Sequence, residues 1–227
     1  AKVSDLTTIA IVTDDDADTV NITGINSGVT FVNADTNADT VVLDTVASAT
    51  LTIDQGAVSA TSTTITDAAT VVIQNTGSGA GGLTSLVLDA VDTTSLTINA
   101  GTSASVDADI VTGTDKVATL TLTGQTESRD ADMTSMADAD SLTSLTLTAN
   151  GGDTEISGAI GTSATAAGNA EALATITATA TNTGTVTLTT VYADDSTNGT
   201  TASSTAADLA MTVTATSGTN STIALGT

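Results

Sequence analysis

A five-residue alternation constrains the fold of this chain more than any other feature: Thr or Ser, apolar, any residue, apolar, then Thr, Asp, Asn or Gln. It reads TVNIT (19–23), TVVLD (40–44), TLTID (50–54), TVVIQ (70–74), SLVLD (85–89) and SLTIN (95–99). It continues as TLTLT (119–123), SLTLT (144–148), TITAT (175–179), TVTLT (185–189) and AMTVT (210–214). Strict period-two alternation over about five residues, rich in β-branched types, predicts short half-buried strands. Parity then assigns Leu120, Leu122, Leu145, Leu147, Val186 and Leu188 to the core, and Thr119, Thr121 and Thr123 to the outside. Helical spacing is sustained nowhere; residues 132–140 and 164–173 offer at most a short helical turn, or equally a loop.

The motifs come in pairs, with Val41 and Leu51, Leu86 and Leu96, and Ile176 and Val186 each ten residues apart. Turn formers such as Asn182-Thr183-Gly184 lie between them, while the connections between pairs vary in length. A supersecondary unit is being copied with variable insertions. Two all-β architectures use such units: a β-solenoid-like stack of short paired strands, or a β-sandwich of the jelly-roll kind. Phe31 and Tyr192 are the only aromatics, so Val, Ile, Leu and Ala must fill the interior, which suits the thin core of a solenoid. The expectation is one elongated repeat region over residues 1–227, with subdivisions placed near 77–82 or 161–170.

The missing side chains limit the chemistry. The 227 residues contain no His, Cys, Pro or Trp. A Ser-His-Asp triad is excluded, a Ser-Lys dyad would need Lys2 or Lys116 outside any serine motif, and a carboxylate-pair glycosidase would lack aromatic sugar platforms. No disulfide framework or thiolate zinc site can form. Three Lys and Arg against 26 acids give a net charge of -23, which repels nucleic acid and anionic bilayers. No apolar stretch approaches the roughly 20 residues of a membrane span. The chain opens at Ala1-Lys2-Val3 without an export signal, so the expectation is that any such signal is removed or lies outside this segment. High acidity fits a saline habitat, and sequons at Asn21, Asn198 and Asn220 fit export as well as chance.

The segments LTSLVLDAVDTTSLTINAG (83–101) and LTSLTLTANGGDTEISGAIG (142–161) resemble Gram-negative surface-layer proteins of the Caulobacter type. The resemblance covers most of the chain and rests on composition and a degenerate rung pattern. It implies a secreted, lattice-forming protein built of β-solenoid segments that bind many calcium ions. The glycine-rich calcium nonapeptide of that family is absent; GSGAGG (77–82) and NGGD (150–153) are the nearest pieces, so no family ligand transfers to this chain.

Metal binding must therefore rest on local chemistry. Asp44, Asp54, Asp89 and Asn99 share the last position of the motif. If rungs stack about 4.8 Å apart, aligned carboxylates fall well inside a Debye length of about 8 Å and repel one another. A divalent cation relieves that repulsion, and Ca2+, which accepts six to eight oxygens from Asp, Asn and carbonyls, is the natural candidate. The densest group is Asp14, Asp15, Asp16 and Asp18, supported by Asp35 and Asp39. Asp130, Asp132, Asp138 and Asp140 form a second. Neither group matches an EF-hand, and solvated loop residues making Asx turns explain the same pattern.

Thr-x-Thr on successive strands, as at Thr146 with Thr148 or Thr187 with Thr189, also offers a hydroxyl array that orders water as ice-binding solenoids do. The irregular spacing of the pairs is expected to break the flat lattice such recognition needs. The functional expectation is a non-enzymatic, extracellular, cell-surface protein: a surface-layer subunit stabilised by calcium and self-associating into a lattice, with a cell-surface polysaccharide as a candidate anchor. A filament subunit polymerising by strand exchange or stacking is the second reading, and a stalk or ligand-binding segment of a large adhesin is the third.

Overall fold

Alternating sequences of this kind bury one side of each strand, and the chain stacks those sides turn upon turn. The computed structural model describes residues 6–11, 19–33, 40–55, 61–76, 81–89, 91–101, 104–125, 129–136, 138–161, 170, 172–191, 210–216 and 222–225. Its strands are β1 (Thr8–Ile11), β2 (Thr19–Ile25), β3 (Val29–Asn33), β4 (Thr40–Asp54), β5 (Thr61–Gln74), β6 (Gly81–Val87), β7 (Ser95–Asn99) and β8 (Val106–Thr112). They continue as β9 (Thr119–Gly124), β10 (Ala131–Met136), β11 (Ser144–Asn150), β12 (Thr154–Ile160), β13 (Thr175–Thr181), β14 (Thr185–Val191), β15 (Ala210–Thr216) and β16 (Thr222–Leu225). No helix occurs among the described residues, and so none is long and apolar enough to cross a membrane.

Pairing between strands is parallel throughout. The first sheet stacks β2, the first half of β4, the first half of β5, then β6, β8, β10, β12, β14 and β16. The second sheet stacks β1, β3, the second halves of β4 and β5, then β7, β9, β11, β13 and β15. Consecutive strands alternate between sheets, so one turn of chain contributes one rung to each. This is a β-solenoid. A sandwich of hairpins would pair its strands antiparallel, and that alternative is excluded.

The ten-residue pairs are steps across the core. Val41 and Leu51 lie on the two halves of β4, and Leu86 and Leu96 on β6 and β7, in different sheets. The full period is a turn: Thr70, Ser95, Thr119 and Ser144 are successive partners, at steps of 25, 24 and 25 residues. The following steps, to Thr175 and Ala210, are 31 and 35 residues. β4 and β5 pass from one sheet to the other at Ser48 (φ 60°) and Asp67 (φ 64°), left-handed residues that turn the corner without ending the strand. Asn182 (φ 52°) and Thr183 (φ 75°) form the expected turn between β13 and β14. Residues 132–136 belong to β10, which corrects the expectation of a helical turn or a loop there; Ala131 and Met133 point inward with strand parity, and the register shift that follows Met133 brings Met136 inward as well. Most of the other such segment, 164–173, lies outside the described residues.

Inward residues form ladders. Phe31, Ile53, Ile73, Ile98, Leu122, Leu147 and Ala178 are successive partners and all buried. Leu120, Leu122, Leu145, Leu147, Val186 and Leu188 point inward as their parity requires. Each buried aliphatic of this size contributes about 1.5–3 kcal/mol, enough to hold a rung on a core only one layer deep. Buried hydroxyls satisfy corner carbonyls: Thr45 Oγ1 donates to Thr66 O at 3.1 Å, Thr93 Oγ1 to Ala68 O at 2.8 Å, and Thr114 Oγ1 to Asp138 O.

Candidate functional site

The two sheets carry different outer surfaces. On the first, Asp107, Asp132 and Glu155 are direct partners on the adjacent strands β8, β10 and β12. Strand spacing puts such neighbours about 4.8 Å apart. Loss of hydration raises the Asp132 carboxyl to about 7, with added repulsion from Asp130, Asp107, Glu155 and Asp153. The same loss raises Asp107 to about 6, helped by Asp109 and opposed by the Ala108 backbone hydrogen bond. Two positions earlier, side chains cap the next rung. Ser105 Oγ accepts from Asp130 N at 2.8 Å, Asp130 Oδ1 from Asp153 N at 2.7 Å, and Asp153 Oδ1 from Thr185 N at 2.6 Å. Asp130 and Asp153 thus hold the rungs together through backbone amides.

A second acidic group sits at the corner leading from the first sheet to the second. Carboxylate oxygens of Asp67, Asp89 and Asp92 lie within 4.8 Å of one another. Asp67 is raised by loss of hydration and then by repulsion from Asp44, Asp92 and Asp89. Thr66 Oγ1 donates to Asp44 Oδ1 at 3.2 Å, Asp67 N to Asp89 Oδ2 at 3.3 Å, and Val91 N to Asp89 Oδ1 at 2.8 Å, an Asx turn. Farther along the same corner, burial and the charges of Asp115 and Asp140 raise Asp138.

The residues expected to bind metal are distributed unevenly over this geometry. Asp89 meets Asp67 and Asp92 at the corner, and Asp44 lies on the other side of Asp67. Asp54 and Asn99 lie on the second sheet, separated by the neutral Gln74 rung, and the buried Asp54 accepts from Thr76 N at 2.9 Å. The four motif-end residues therefore do not form one ladder. Asp130 and Asp132 join Asp107, Asp153 and Glu155 on the first sheet, whereas Asp138 and Asp140 sit at the corner with Asp115. Asp14, Asp15, Asp16 and Asp18, with Asp35 and Asp39, lie outside the described residues. Asp67, Asp92, Asp107, Asp153 and Glu155 escape the sequence reading because their neighbours arrive one turn later, at steps of 25 and 23 residues for Asp107, Asp132 and Glu155.

The second sheet presents hydroxyls. Thr8, Thr30, Thr52, Val72, Thr97, Thr121, Thr146 and Thr177 are successive partners in one column. A parallel column runs through Asn99, Thr123, Thr148 and Thr179, and another through Thr70, Ser95, Thr119, Ser144 and Thr175. From β5 through β13 this register has no shift, although the turns differ in length. That corrects the expectation that irregular spacing would break the array: the differences in turn length fall outside the paired strands of this sheet. Shifts occur instead on the first sheet, between β2 and β4, β5 and β6, β10 and β12, and β12 and β14, and at the corner where β4 and β5 pass between the sheets.

No family model, curated protein or solved structure matches the chain. The fold defines a two-sheet β-solenoid repeat protein.

Proposed function

We propose that this chain is a structural, non-catalytic segment of an extracellular array, a calcium-stabilised surface layer of the Caulobacter-like kind. The observation that carries the reading is the parallel stack of strands on a thin, largely aliphatic core, a scaffold that adds one rung to each sheet at every turn. Two further features support it. The residue inventory offers no nucleophile with a histidine base, and the chain resembles surface-layer segments in its rung pattern.

Calcium fits the corner formed by Asp67, Asp89 and Asp92, with Asp44 beside them. Three carboxylates within 4.8 Å repel one another, and a hard divalent ion accepts just such oxygen donors in irregular geometry. The ion would neutralise charge at a corner where Asp67 holds a left-handed backbone.

Size-exclusion chromatography and negative-stain microscopy, with calcium and with chelator, test the proposal. Calcium is expected to give a two-dimensional sheet and a higher melting temperature, and chelation to reverse both. The double variant Asp67→Asn/Asp92→Asn is expected to lose the calcium response while remaining folded. Threads in place of sheets would favour the filament reading. A monomer at high concentration with calcium would exclude the array, and a melting temperature indifferent to chelation would exclude the metal.

A further inference from the structure

We propose that the outer surface of the second sheet, centred on Thr97, Thr121, Thr146 and Thr177 with Thr123, Thr148 and Thr179 alongside, binds the surface of an ice crystal. The inference stands independently of the surface-layer reading.

Three observations on this face converge on ordered water as the ligand. The first is periodicity in two directions. Neighbouring strands repeat about every 4.8 Å, and alternate residues along a strand about every 6.7 Å. Unshifted register from β5 through β13 keeps these repeats in phase. The result is a rectangular grid of hydroxyls, with repeats of the same order as those of oxygen atoms on the prism face of hexagonal ice. A crystalline ligand is the occupant for which such phase matters, since a soluble molecule needs only a local patch.

The second observation is composition. The outward positions of β7, β9, β11 and β13 in the three columns are Ser95, Thr97 and Asn99; Thr119, Thr121 and Thr123; Ser144, Thr146 and Thr148; and Thr175, Thr177 and Thr179. All but Asn99 carry a hydroxyl. Threonine presents a hydrogen-bonding oxygen beside a methyl group, so it can anchor water molecules while the methyl sits between them. Its β-branch restricts χ1, which limits the entropy lost on docking. Within the grid, Thr119 Oγ1 donates to Ser95 Oγ at 3.0 Å, fixing that column's rotamers further.

The third observation is where the charge goes. In a chain of net charge -23, these four rungs carry no ionisable outward residue, whereas the first sheet sets Asp107, Asp132 and Glu155 in adjacent rungs. Ionised side chains impose their own hydration and gather counterions, both of which are rejected by an ice lattice. Keeping acids off one face and crowding them at a cost on the other is what an uncharged crystalline ligand requires.

The test is partition into ice during slow directional freezing, using the purified chain, with circular dichroism confirming the fold of each variant. The parent chain is expected to concentrate in the ice fraction. Thr121→Tyr/Thr146→Tyr, which raises two bulky groups above the grid, is expected to lower that incorporation at least tenfold. Thr134→Tyr, on the exposed side of β10 in the other sheet, is expected to leave it unchanged. Exclusion of the parent chain from ice would overturn the proposal, as would undiminished incorporation of the folded double variant. Loss of a homodimer on chromatography in the double variant, with no ice incorporation by the parent, would assign the face to a second copy of the chain and overturn it equally. Should either Tyr substitution unfold the chain, Thr121→Val/Thr146→Val replaces it. These preserve shape and strand preference, and a reduction in ice growth inhibition is then the expected result.

Discussion

Replacing Gly101 with alanine is expected to cost about 4 kcal/mol or more of stability, the range reached only by a few identifiable mechanisms. A Cβ at this position would sit 1.1 Å from the carbonyl oxygen of Asn75 and 2.3 Å from its carbon. Those are backbone atoms of the preceding turn, so no rotamer change relieves the overlap. Asn75 cannot move freely either: it is fully buried, and its Nδ2 donates to Ser105 O at 2.9 Å. The methyl group must push two turns apart where Gly101 N donates to Ala104 O at 3.0 Å. Urea titration should show a large fall in midpoint. Gly28 provides the contrast. It has φ 83°, but a Cβ there would meet nothing within 4 Å, so Gly28→Ala should cost only about 1–2 kcal/mol for the left-handed backbone. Equal losses for the two variants would refute the close-approach account of Gly101.

The acidic ladder makes the second strong expectation, that the fold gains stability as pH falls from about 8 towards 5. Asp132 is raised to about 7 and Asp107 to about 6 in the folded chain, against 3.8 for an unperturbed Asp. The native state therefore binds protons that the unfolded chain has released. The stabilisation is full below about pH 4 and is lost as pH rises through 6 and 7. Each such proton tilts stability by at most about 1.4 kcal/mol per pH unit inside the window, and less here because solvent screens these half-exposed groups. Asp132→Asn mimics the protonated state. It should raise the melting temperature at pH 8 by several degrees, change it little at pH 5, and flatten the profile between. A variant that melts identically to the parent at both values would show that the ladder carries no proton linkage.

Much of the fold was legible in the sequence because period-two alternation specifies which side of a strand is buried, and a one-residue slip would expose Leu122 and bury Thr121. Scarcity of aromatics favoured a thin core, and the aliphatic ladder from Ile53 to Leu147 is its realisation. The arrangement of side chains in space was less legible. Which residue stacks on Asp132 depends on the length of a whole turn, and the ten-residue motif spacing concealed that length because it measures the step between sheets. The same ambiguity made Asp44, Asp54, Asp89 and Asn99 look like one ladder when they belong to two surfaces. Asp67 gave no sequence signal: it interrupts an apolar alternation, and only the left-handed corner within β5 explains its place. Uneven turn lengths suggested a broken surface, yet the hydrogen-bonded register absorbs them.

Every functional reading of this chain depends on rung-by-rung stacking, and the absence of cysteine makes that stacking directly measurable by paired spin labels. In the second sheet Thr97 and Thr177 are three rungs apart, and Thr30 and Thr177 six. At about 4.8 Å per rung the backbone separations are about 14 Å and about 29 Å. Electron–electron distance measurements on the two cysteine pairs should give separations that double with the number of rungs. Distances that fail to grow from the first pair to the second would contradict the solenoid.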